Sequence, residues 1–261
     1  MKRDRNTFIW WSSLRLVSVL NLLGLCAVVA TVDLTAPFRL AHVLLATVYT
    51  CVCGFRSFFP RVDLERTVLV DHWLSNIVLG RTSATIAEMC FTAQLTLVLM
   101  ECAGVIPWLW HLGIGLLPLI AIAQVTCWLG VVTGNHLWHA LEESLWTVLV
   151  CCMVVAGLAL WPHTDGLKTG LLCLAFIGAL GTIWVMSFND VPMYIRRWRQ
   201  EVKEGTVFVT PLSGFLDALH RREPTGAWSV WRHEVAWMTP YFSIGVWLSL
   251  FLARVSFDLS L

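Results

Sequence analysis

The chain has 261 residues, 57% of them hydrophobic and only 13% charged, with a formal net charge of +1 and a mean hydropathy of +0.72. A water-soluble globule carries about 45–50% apolar and about 25% charged residues, so this composition excludes water as the main solvent and points to lipid. There is no basic run with interleaved aromatics, which excludes a nucleic-acid partner. The nine cysteines, none in a Cys-x-x-Cys pair, read as small buried hydrophobes and not as a disulfide or zinc framework.

The N-terminal stretch MKRDRNTFIWWSSLRLVSVLNLLGLCAVVA joins a basic start to an apolar run, the outline of a signal peptide. Its length, the interruption at Arg15 and the apolar segments that follow predict an uncleaved first span instead. Seven spans are predicted, at 8–32, 39–59, 82–104, 112–132, 143–161, 169–188 and 236–257. Each has about the 20 residues that cross ~30 Å of hydrocarbon at ~1.5 Å per residue. The expected fold is an all-α membrane protein, a bundle of about seven transmembrane helices with a cytosolic helical segment before the last span. Residues 1–188 form a six-span membrane bundle, 189–235 the cytosolic amphipathic segment and 236–261 the final transmembrane helix. Segment 67–82 is apolar but carries Asp71, His72 and Arg81, so it either lengthens the third span or lies at the interface.

In segment 189–235, Asn189 or Asp190 is placed to cap a helix with Pro192 in its first turn. Thr210 is placed to cap a second helix, followed by Pro211. Leu212, Phe215, Leu216 and Leu219 then fall on one face, and His220, Arg221 and Arg222 close it as the helix dipole prefers. This second helix reads as amphipathic, lying on the membrane surface. Most of the fifteen tryptophans sit near span ends, as interfacial belt residues do.

Lys and Arg collect at one set of helix ends. These are Lys2, Arg3 and Arg5, then Arg56, Arg61 and Arg66, then Arg196, Arg197, Arg199, Lys203, Arg221, Arg222 and Arg232. The other ends hold little beyond Arg39, Lys168 and Arg254. The positive-inside rule then puts the N-terminus in the cytosol and the C-terminus on the opposite side.

The densest group of ionisable residues, TGNHLWHALEESLW at 133–146, falls between spans four and five. At ~100° per residue, Asn135, His136, His139, Glu142, Glu143 and Trp146 share one face of a helix. That face turns from lipid, because charge in hydrocarbon is costly. Histidine and carboxylate three or four residues apart can hold a metal, as Glu-x-x-His helices do, or orient a general base. One helix supplies only part of such a site. The predicted topology brings Asp71 and His72, then Asn189 and Asp190, then His233 and Glu234 to the same membrane face. The opposite face has only scattered polar groups, among them Asp33, His111, His163, Asp165 and Asp258. His72, His136, His139, Glu143, His233 and Glu234 are the candidate metal ligands, for a transition metal such as iron or zinc. His139, Glu142, Glu143, Asp71 and Asp190 are the candidate acid–base groups. Each of these residues alone is better explained as a wet helix end; the shared face of the set is what argues for a site. Arg81 and Glu88, seven apart with Thr85 between them, lie on one stripe, either as a structural ion pair or, with Asn135, as the lining of a substrate or ion path.

The Glu142–Glu143 pair at the mouth of a membrane helix resembles the first motif of the intramembrane CAAX-processing proteases. That motif continues to an Arg four residues after the second Glu, where this chain has Thr147. The His-x-x-x-Asn spacing of HWLSN at 72–76 precedes the pair, out of the family's order. The clustered histidines of membrane desaturases, a lysine in the seventh span for a retinal Schiff base and a Gly-rich phosphate loop are all absent. Three readings stay open: a membrane enzyme with a cytosol-facing pocket acting on a lipid or other apolar small molecule, a transporter or proton-coupled carrier using Glu88 and Arg81, and a non-catalytic assembly subunit.

Overall fold

The computed structural model describes residues 3–255; Lys2, Asp258 and the end of the expected last helix lie outside them. Among the described residues, seven helical stretches are long and apolar enough to cross a membrane: Arg5–Thr31, Arg39–Phe58, Ile77–Cys102, Trp108–Thr133, His136–His163, Lys168–Lys203 and Val235–Arg254. All seven expected spans are therefore present, and the protein is an all-α, multi-pass membrane bundle. In chain order its helices are α1 (Arg5–Thr31), α2 (Arg39–Phe58), α3 (Ile77–Cys102), α4 (Trp108–Thr133), α5 (His136–Leu160), α6 (Gly166–Val185), α7 (Val191–Lys203), α8 (Pro211–His220), α9 (Trp228–Trp231), α10 (Val235–Phe242) and α11 (Ile244–Arg254). A small sheet is made of β1 (Arg61–Val62), β2 (Thr67–Val68) and β3 (Glu223–Pro224). The described residues divide into two compact units, 3–94 with 215–255, and 95–214.

In the first unit α1 packs along α2, and both meet α11. Lipid tails are as apolar as the helices, so close packing and interhelical hydrogen bonds hold such a bundle together. Both devices are present. A Cβ on Gly54 would stand 3.0 Å from Ser18 Oγ, and one on Gly245 would stand 2.7 Å from Tyr49 Oη. Asn21 ties α1 to the last span twice, donating from Nδ2 to the Phe242 carbonyl at 2.8 Å and accepting from Trp247 Nε1 at 2.9 Å. Gln94 Nε2 donates to the carbonyls of His42 and Ser249 at 3.2 and 3.1 Å. The bond to Phe242 matters because the last span is not one continuous helix. Pro240 lies inside α10, and the chain turns at Ser243 (φ −115°, ψ −75°) before α11 begins. Proline removes a helical N–H, and backbone groups freed inside a bilayer need a partner.

Segment 67–82 is resolved into two parts. Its first half joins the sheet, where β2 pairs antiparallel with β1 and parallel with β3. A tight turn at Trp73–Ser75 follows, and α3 starts at Ile77, so only the second half lengthens the third span. On α8, Thr210 Oγ1 accepts the Ser213 N–H at 3.4 Å, and Leu212, Phe215 and Leu216 are exposed along one face.

In the second unit α4 and α5 form a hairpin. Gly134 takes a left-handed conformation (φ 71°) and returns its N–H to the Gly130 carbonyl at 2.9 Å; glycine adopts it without a Cβ penalty. Asn135 Oδ1 then accepts the Leu137 N–H at 2.9 Å and caps α5. α5 also packs against α6 and α7. The expected start of a new helix at Asn189 or Asp190 is corrected. Asp190 is in helical conformation and its side chain caps nothing. The chain runs from α6 into α7 through one wide π turn, Met186–Asp190. Pro192, in the first turn of α7, has no N–H to give, and the π turn absorbs the missing bond where a break was expected.

Candidate functional site

The site grows from the first two turns of α5. His139 and Glu142 are 8% and 7% exposed. Three residues apart on one face, they meet with His139 Nδ1 2.9 Å from Glu142 Oε2. The other ring nitrogen, Nε2, is buried without a hydrogen-bond partner. It faces α4 at Gly130, where a Cβ would lie only 2.6 Å away. The ring therefore fills the notch that a missing side chain leaves. Cys127 lies one turn earlier on α4. One ligand atom each from Cys127, His139 and Glu142 lies within 4.8 Å of the others, and all three residues are buried.

α7 supplies a second layer. The Tyr194 ring is tilted against His139 at 5.3 Å and against His136 at 6.0 Å between centroids. Its phenol lies in the fields of the Glu143, Glu142 and Asp190 carboxylates and of the Arg197 guanidinium. His136 Nδ1 is 2.5 Å from Glu201 Oε1, and Glu201 Oε2 is buried without a partner. The π turn carrying Asp190 leads directly into this helix; such turns recur at functional sites. In this unit, then, His136, His139, Glu142, Glu143 and Asp190 share the neighbourhood of one tyrosine, and Asn135 shapes the helix start.

The ligand set differs from the one read from sequence. The group with converging ligand atoms is Cys127, His139 and Glu142, whereas sequence spacing favoured His136, His139 and Glu143. His136 is turned to Glu201, and Glu142, three residues on, is the partner of His139. Cys127 is buried as expected of a small hydrophobe, yet its thiol also belongs to this group.

The remaining predicted residues lie in the first unit. Arg81 Nη2 donates to Glu88 Oε1 at 2.9 Å, and the Tyr241 hydroxyl approaches the same oxygen at 3.4 Å. This is the ion pair that the seven-residue spacing allows. Asp71 and His72 are exposed. His72 Nδ1 accepts the Leu74 N–H at 3.1 Å, and the ring stacks on Phe59 at 5.9 Å. His233 Nε2 accepts from Arg232 Nε at 3.2 Å, and Glu234 accepts from Trp237 Nε1 at 2.6 Å. Of the expected cluster, His139, Glu143 and Asp190 belong to the second unit, and His72, His233 and Glu234 to the first.

Sequence reasoning missed Cys127, Gly130, Tyr194 and Glu201. Tyr194 and Glu201 are seven apart, one stripe of α7 facing the α5 histidines, so a helical-face reading of 189–203 would have found them. Cys127 and Gly130 carry no such signal, because their roles exist only through the register of α4 on α5.

A histidine whose Nδ1 is held by a carboxylate and whose Nε2 is presented elsewhere is the arrangement that orients metal-ligating imidazoles and general bases. Compared with known protein families, curated proteins and solved structures, the chain matches none.

Proposed function

We propose that this protein is a multi-pass membrane enzyme that acts on a lipid or other apolar substrate through a metal centre held by Cys127, His139 and Glu142, open to the cytosol. The observation that carries the reading is the His139 ring, buried between apolar helices, with Nδ1 on Glu142 at 2.9 Å and Nε2 left without a partner beside the Gly130 notch. A buried polar nitrogen with no partner is costly and calls for one. Thiolate, imidazole and carboxylate together suit zinc, with iron as the other candidate. Such an ion, when bound with an open position, acts as a Lewis acid and lowers the pKa of bound water. The chain's own residues support the site: Gly130 leaves room for the His139 ring, and Tyr194 packs on it from α7. Lipid around α5 and α6 would bring apolar substrates to this depth.

The carrier reading is weaker because Glu88, its central carboxylate, is engaged by Arg81 and Tyr241. The test is elemental analysis of protein purified without chelators, combined with the lipid profile of membranes expressing it. About one equivalent of zinc or iron is expected, lost in His139→Ala and in Cys127→Ser, with a lipid change that follows the metal. A metal-free wild-type protein that takes up neither ion on titration, and a lipid profile indifferent to His139→Ala, would overturn the proposal.

A further inference from the structure

The helix α8 holds none of the proposed metal ligands, and its surface divides three ways. At ~100° per residue, Gly214 and Ala218 fall on one side, and both are buried. Contacts on this side fix the depth of the helix. In the second unit a Cβ on Gly214 would overlap the Val132 carbonyl, so only glycine lets α8 lie against the end of α4. Just before the helix, the Val209 N–H donates at 3.3 Å to the carbonyl of Thr133, the last residue of α4. In the first unit Asn76, one residue ahead of α3, donates from Nδ2 to the Leu219 carbonyl. Arg66 Nε donates to Asp217 Oδ2 at 2.9 Å. Each unit therefore holds its part of α8 at the end of a membrane span, where hydrocarbon gives way to headgroups.

Leu212, Phe215, Leu216 and Leu219 make the second side. Leu212 is 72% exposed, as open as Leu174 and Ile177 on the span α6, at 65% and 68%. Val207 and Val209, which lead into the helix, are exposed as well. Ser213, Asp217 and His220 make the third side, which is polar. Protein covers the first side, and water suits the third. Large apolar side chains left in water forgo the free energy of burial, and a helix of 10 residues has little stability of its own. At the depth set by Val132, Thr133 and Asn76, the medium that remains for the second side is lipid. The flanking charges agree with this: Arg221 and Arg222 follow α8, and Arg199 and Lys203 lie exposed on the last turns of α7, where such groups reach headgroup phosphates.

We infer that α8 docks on the bilayer as an interfacial helix, with Leu212, Phe215 and Leu216 sunk to the boundary between headgroups and acyl chains. Such helices bury an apolar face by ~5–10 Å and keep their polar face in water. Periodicity alone puts the apolar residues on one face. The contacts to Val132, Thr133 and Asn76 set the depth at which that face lies. No residue of the metal centre takes part, so either proposal can fail alone.

The experiment uses the full chain, a single copy per nanodisc, in an equal mixture of phosphatidylcholine and phosphatidylglycerol. The photocrosslinking amino acid benzoylphenylalanine replaces Leu212, Leu216 or Ser213 in turn, and adducts formed on irradiation are read by mass spectrometry. Lipid adducts are expected at positions 212 and 216, several-fold above position 213 on the polar side. No lipid adduct at 212 and 216, or equal yields at all three positions, overturns the inference. So does crosslinking in native membranes that joins 212 and 216 to protein and not to lipid, which would assign the stripe to a partner or a second copy. Hydroxyl-radical labelling of the wild-type chain in the same nanodiscs needs no substitution. Leu212, Phe215 and Leu216 should react several-fold more slowly than in the unfolded chain, and equal rates would refute the docking.

Discussion

Gly130→Ala probes the packing of His139 against α4. A Cβ there would stand 2.6 Å from Nε2, 2.7 Å from Cδ2 and 2.8 Å from Cε1 of the ring. Heavy-atom contacts are comfortable only at about 3.5–4.0 Å, so the imidazole must retreat by about 1 Å. That movement strains the 2.9 Å bond from Nδ1 to Glu142. Overpacking costs ~1–3 kcal/mol and a weakened charged hydrogen bond ~1.5–3 kcal/mol, while alanine's better helix propensity offsets ~1 kcal/mol. The expected net loss is ~1.5–5 kcal/mol. Gly115 on the same helix is the control, because a Cβ there meets nothing within 4 Å; Gly115→Ala should be neutral or slightly stabilising. Both variants are measured by reversible unfolding in mixed detergent micelles. The double variant Gly130→Ala/His139→Ala should be less damaged than the two single losses predict, by ~0.5–3 kcal/mol, since deleting the ring removes the clash. Equal stability of Gly130→Ala and Gly115→Ala, or strict additivity in the double variant, would refute the placement of the ring in the Gly130 notch.

Two further outcomes are expected. Arg81→Met or Glu88→Gln should each destabilise the protein by ~3–5 kcal/mol, because one buried charge loses its partner, while Arg81→Met/Glu88→Met should recover most of the loss; unfolding curves that show the double variant as damaged as the singles would mean that the pair does not act as a closed structural unit. Topology reporters fused before Met1 and after Leu261 should report opposite sides, the N-terminal one cytosolic, as the Lys and Arg bias requires; two cytosolic signals would remove the cytosolic opening from the proposed site.

Composition and hydropathy alone determined that this is a multi-pass helical membrane protein, because roughly 20 apolar residues in a row have few stable places outside lipid. The helical period likewise put His139 and Glu142 on one face of α5 and Arg81 and Glu88 on one stripe of α3, since 3.6 residues per turn is a local property. What escaped the sequence was everything set between helices. Proline and a capping residue suggested a helix start at Asn189–Pro192, but packing of α6, the π turn and α7 against α5 carries the helix through. Both Glu142 and Glu143 are within reach of His139 by spacing; the side chains' surroundings against α4 and α7 select Glu142. Cys127 and Gly130 enter the site only once the register of one helix on another is known. Local periodicity decides which way a side chain leaves its own helix, and tertiary packing alone decides what it meets there.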